Sequence, residues 1–127
     1  MKAMTAVLVL LFSLTAALSG HSQSKSGAEY FVGKWNVTIP GTPLGDLKRI
    51  YVFEKKADSL SGYVQDAVTG SEIAKFSKVE LGVNQASVYY TASGIDAILV
   101  LTKKDEDHVT GSLLNVYEAT GERVKTK

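Results

Sequence analysis

The chain has 127 residues, with 14 Lys and Arg against 13 Asp and Glu, a formal net charge of +1, and no cysteine. This balance leaves no basic stripe for nucleic acid, and the missing cysteines exclude disulfides, thiolate metal sites and a cysteine nucleophile. With 45% hydrophobic residues, a domain without covalent staples can be held by its core.

Residues 1–22 read as a signal peptide. Lys2 supplies a short positive start, and 7–18 is apolar apart from Ser13 and Thr15, the length of a secretory core and too short to span a bilayer. Ala17-Leu18-Ser19 and Gly20-His21-Ser22 both offer the small residues that cleavage requires, and cleavage after Ser22 would leave Gln23 first. No cysteine is present to carry a lipid. The expectation is a secreted or periplasmic protein without a stable membrane anchor, an uncleaved N-terminal anchor being the alternative. Residues 23–32 read as a flexible leader, and 33–127 as a single domain of roughly 100 residues.

From Tyr30 onward, period-two alternation is broken by turn residues at intervals of about 8–12. The first segment, 33–39, puts Trp35, Val37 and Ile39 on one face and ends at Pro40-Gly41-Thr42-Pro43. The second, 46–56, alternates Leu47, Arg49, Tyr51 and Phe53 with Ile50 and Val52. Turns at 57–59, 69–71, 82–84 and 93–94 then delimit segments 60–67, 72–81, 85–92 and 96–103. The charged run 104–107 reads as a solvated hairpin tip. A seventh segment spans 108–119, and Thr120-Gly121 turns into the last, 122–127. No apolar period of 3.6 residues persists over three turns, so no long helix is expected.

Eight strands joined by short turns can close on themselves and so remove their edges. The predicted fold is all-β, an eight-stranded antiparallel up-and-down meander barrel, whose interior suits side chains or one small ligand. A sandwich is the alternative, but its long cross-sheet connections are not visible. Gly33-Lys34-Trp35 opens the first strand with the only tryptophan. An indole there is a plug for one barrel end, and Arg123 is the cation placed to lie over its face.

The same residues carry a resemblance. Gly33-Lys34-Trp35 resembles the G-x-W of the calycins (lipocalins, fatty-acid-binding proteins and avidins), in which an arginine of the last strand packs on the tryptophan. With the finish Ala119-Thr120-Gly121-Glu122-Arg123-Val124, residues 33–125 resemble the small, avidin-sized, lipocalin-like secreted proteins of Bacteroidetes. The resemblance implies a barrel plugged by Gly33, Trp35 and Arg123. It implies neither the C-terminal helix of a full lipocalin nor the ten strands of a fatty-acid-binding protein, and the avidin biotin-site pattern is absent.

For catalysis the sequence offers little. His108 beside Asp107 has no nucleophile near it, and no metal-ligand, phosphate-loop or nucleophile-elbow motif occurs. A non-catalytic protein with no metal and no cofactor is the expectation. Binding is better supplied. With Trp35 inward, strand parity places Arg49, Tyr51, Asp66, Tyr90, Asn115 and Tyr117 in the interior among aliphatic residues. That is the composition of a ligand site. A buried guanidinium requires an acceptor, either Asp66 or an acidic ligand whose tail would run over Val88, Leu99 and Leu101. The opposite parity, with Ile50 and Val52 in the core and Arg49 in solvent, is the alternative.

The outward faces then carry Ile50, Val52, Tyr89, Ile98, Val100, Leu114 and Val116, an apolar patch that suits a homodimer through the outer sheet face or a partner protein. Two functions follow. One is a carrier of a small hydrophobic or amphipathic molecule, with an open cavity near Arg49, Tyr90 and Tyr117. The other is a filled-barrel interaction module, such as an inhibitor of a lytic or proteolytic enzyme, acting through its loops and outer sheet face, with 39–46 as the projecting loop.

Overall fold

The computed structural model describes residues 27–57 and 59–125. The signal peptide expected over 1–22 and the first part of the expected leader lie outside the described residues. Eight strands follow one another as β1 (Gly33–Thr42), β2 (Gly45–Lys56), β3 (Ser59–Asp66), β4 (Glu72–Gly82), β5 (Gln85–Ala92), β6 (Ile95–Asp105), β7 (His108–Leu113) and β8 (Tyr117–Arg123). Each pairs with the next, and β8 returns antiparallel to β1 to close the barrel. The alternation drives this closure: closing turns the mainly apolar face of each strand inward without leaving an edge, β4 being the least covered, with Ile73, Phe76 and Val79 half-buried.

The parity of the first two strands is the expected one. Trp35, Val37 and Ile39 are fully buried and pair with Tyr51, Arg49 and Leu47, which therefore share the inner face. Val64 on β3, Val88 and Tyr90 on β5, and Leu99 and Leu101 on β6 complete the buried centre. Val52 faces outward and lies outside the core cluster, although neighbouring side chains leave it only 5% exposed.

Two expectations are corrected. The last hairpin turns at 114–116, not at Thr120-Gly121, so the segment predicted over 108–119 is two strands. Leu114 and Asn115 each take φ 57° there, a left-handed conformation that Asn tolerates and that no glycine signals. Gly121 instead lies within β8 opposite Val109 and Val37. A Cβ on it would stand 2.7 Å from a Val109 methyl, so glycine is there for space inside the barrel rather than for a turn.

The second correction concerns the leader. Ala28–Phe31 forms one helical turn, α1, with Tyr30 and Phe31 buried in the core. Four residues are too few to show a helical period in sequence. Packing holds the turn: the Tyr30 hydroxyl donates to the Asp105 and His108 carbonyls, and the Trp35 indole N–H donates to the Phe31 carbonyl at 3.0 Å. The barrel is thus capped at the end where β1 begins. The opposite end, framed by the β1–β2, β3–β4, β5–β6 and β7–β8 turns, has no such cap among the described residues.

Candidate functional site

The two ends of the barrel differ in chemistry. At the capped end Trp35 and Arg123 are cross-strand partners on β1 and β8, and the guanidinium lies 4.4 Å from the indole centroid and 5.1 Å from the Tyr30 ring. Arg123 also donates to the carbonyls of Tyr30 at 3.1 Å and Glu106 at 2.8 Å, and pairs with Asp107 at 3.3 Å. The guanidinium is thus committed to partners of the cap and of the β6–β7 turn. Phe31, Phe53 and Trp35 fill the interior beneath it.

Toward the open end the interior is not filled. A cavity of about 330 Å³ opens between the turn tips, walled by Leu44, Leu47, Ala92, Ile95, Ala97 and Leu113, with Arg49, Tyr90 and Tyr117 supplying polar groups. Apolar walls with a few converging polar groups are the usual make-up of a small-molecule site, and the volume lies at the small end of the range for such sites. The register explains the placement. Arg49 pairs with Val37 on one side and Asp66 on the other, where the aromatic filling of the capped half has ended.

The expected site residues are distributed as follows. Arg49, Tyr90 and Tyr117 line the cavity. Tyr51 is fully buried below it, its hydroxyl 2.7 Å from that of Tyr90. Burial pushes the Tyr51 phenol well above its ordinary range, and the Tyr90 hydroxyl adds to this while Arg49 opposes it. Asp66 is the cross-strand neighbour of Arg49 but makes no ion pair with it. Its carboxylate instead accepts the Val68 and Thr69 amides at 2.7 and 3.0 Å, closing the β3–β4 turn. Those amide bonds hold Asp66 below its ordinary range, Arg49 adding a smaller effect.

Asn115 is exposed on the β7–β8 turn and leaves the interior set, because the strand to which parity assigned it ends at Leu113. Val88, Leu99 and Leu101 are fully buried in packed core and do not line the cavity, so no ligand tail runs over them. Sequence reasoning missed the wall residues Pro43, Leu44, Ala92, Ile95 and Leu114. They flank turns that, in an up-and-down order, must all fall at one end, and that rule alone could have gathered them.

Elsewhere, a polar depression of about 190 Å³ on the outer β1–β8 seam contains Asn36, His108 and Glu122. His108 binds Asp105 there at 2.8 Å through Nδ1 and is exposed. No group of residues suited to holding a metal ion occurs among the described residues.

No family model and no curated protein matches the chain. Among solved structures, the redesigned β-barrel b11L5F_LGL is similar at a TM-score of 0.56 and 19% identity, over 79% of this chain and 95% of that one. The likeness is one of fold. A second redesigned β-barrel, mFAP1, whose structure is bound to DFHBI, overlaps at a TM-score of 0.47 and 14% identity, over 77% of this chain and 97% of that one.

Proposed function

We propose that this barrel is a non-catalytic carrier that holds one small amphipathic acid in its open half. The observation that carries this reading is Arg49. It stands on the wall of an apolar cavity, its side chain meets the neutral Tyr51 hydroxyl, and it has no carboxylate partner among the described residues. A half-buried guanidinium without a carboxylate favours an anion in its place. The expected signal peptide would make the carrier secreted or periplasmic, and the Trp35–Arg123 plug is what a lipocalin-like kinship would share.

The test is displacement of a fluorescent fatty acid by decanoic acid and by decanol, in wild type and in Arg49→Leu. A charge-assisted bond contributes about 1.5–3 kcal/mol, so the variant should bind the acid roughly ten- to a hundredfold more weakly and the alcohol unchanged. Equal losses for both would mean that the cavity had collapsed, and no binding by wild type would end the carrier reading.

A second reading is favoured by the rim. Leu44, Val68, Ile95 and Val116 are each more than 60% exposed, one on each open-end turn, as an interaction module acting through its loops would present them. The half-buried row of Tyr89, Ile98 and Val100 on the outer face supports a homodimer. Sedimentation at high micromolar concentration tests it, a monomer there removing that assembly.

A further inference from the structure

The polar groups at the floor of the cavity do not balance. Tyr51 and Tyr90 are 0% and 2% exposed, and their hydroxyls are bonded to each other. Two phenols bring two protons, and the bond between them uses one. The other proton has no acceptor among the described residues. Arg49 beside them adds five more donors, and the nearest carboxylate, Asp66, is turned to the backbone of its own turn. The floor therefore carries more donors than acceptors, the two phenol oxygens being the acceptors it has.

Burial decides where the spare proton goes. Tyr51 does not line the cavity, so a proton left on it would be buried without a partner, which is costly. If Tyr51 donates to Tyr90, the proton of Tyr90 is free, and Tyr90 does line the cavity. The mouth has the opposite character. Leu44, Ile95, Leu113 and Leu114 surround it at or beside the turn tips, while Arg49 stands four residues and Tyr90 two residues inside the open-end termini of their strands.

We infer that the ligand enters head first, its carboxylate accepting from the Arg49 fork and the Tyr90 hydroxyl, with its apolar tail left at the mouth between the turns. This rests on the carrier reading above and adds to it an orientation and a second recognition group. The carboxylate fits because it is planar, accepts only, and matches the guanidinium fork with two oxygens. A tail directed inward would meet the packed Val88 and Leu99.

The chain has no cysteine, so Val116→Cys gives a single labelling site on the rim outside the cavity wall, to carry a bimane fluorophore. Titration with 10-bromodecanoic and 2-bromodecanoic acids reads the orientation, because bromine quenches at short range. The tail-brominated acid should quench the rim label more strongly at saturation. In the same labelled protein, Tyr90→Phe should weaken both acids about tenfold, with Tyr51→Phe weaker in effect and Trp35 fluorescence reporting that each variant is folded. Stronger quenching by 2-bromodecanoic acid, or unchanged affinity in Tyr90→Phe, would overturn the inference while leaving a carrier. Saturable binding of neither acid would overturn both.

Discussion

The Arg123 guanidinium lies over Trp35, 4.4 Å from the indole centroid, and the two residues are register partners across the β1–β8 seam that closes the barrel. One contact thus joins the first strand to the last and seals one end. Trp35→Ala should cost about 3–5 kcal/mol through the cavity it leaves. Arg123→Ala should cost less, and the double mutant should reveal a coupling of about 0.5–2 kcal/mol. Thermal and denaturant melts measure all three, with Trp35→Leu replacing Trp35→Ala if the latter does not fold. Simple additivity would mean that the pair does not share its energy.

The Tyr30 phenol predicts how the cap responds to alkali. Burial pushes it up from 10.0 to about 12, with Arg123 opposing, and Tyr51 is raised in the same direction. A group whose folded pKa is raised contributes stability that is fully present below its unfolded pKa and lost as pH rises through the folded one. Stability should therefore hold to about pH 10 and fall between there and about 12. Denaturant melts followed together with tyrosinate absorbance check this. Tyr30→Phe should flatten part of the fall, and an identical pH profile would contradict the assignment.

The acid limb runs the other way. Asp105 is held below 3.8 by the His108 hydrogen bond, and Asp107 by that of Lys125. Their contribution is present above that pH and lost as the pH falls below it. Asp105 is exposed and Asp107 half-buried, so the effect on melts between about pH 5 and 2 should be small and should shrink in salt.

Gly111 marks a backbone crossing inside the sheet. A Cβ on it would lie 1.7 Å from the Val100 carbonyl oxygen, so β6 or β7 must move to admit one. Gly111→Ala should cost about 1–3 kcal/mol or more. Gly82→Ala, whose nearest neighbour atom would be 3.9 Å away, should stay within about 0.5 kcal/mol of wild type. Equal melts for the two variants would contradict the packing.

The strand count, the closure and the inward parity of Arg49 were legible because each depends on period-two alternation and short turns. The last turn was not. Thr120-Gly121 carries the usual turn residue, yet its glycine serves close packing, while Leu114 and Asn115 make the real turn at φ 57°, which asparagine tolerates but leucine rarely adopts. Asn115 was misplaced for that reason. Parity alone puts Asp66 inside, but at the end of a strand an aspartate side chain can fold back onto the amides two and three residues on, as it does here. Tyr30 and Phe31 looked like leader because one helical turn has no period to read.

The account turns on whether the open half of the barrel takes an acid. A titration of isotope-labelled protein with decanoic acid, followed by amide and side-chain NMR shifts, tests that most directly. The account predicts saturable one-to-one shifts at Arg49, Ala97, Leu113 and Tyr117, with the Trp35 indole unmoved behind its aromatic packing. Shifts confined to the outer face of β5–β7, or none that saturate, would contradict it.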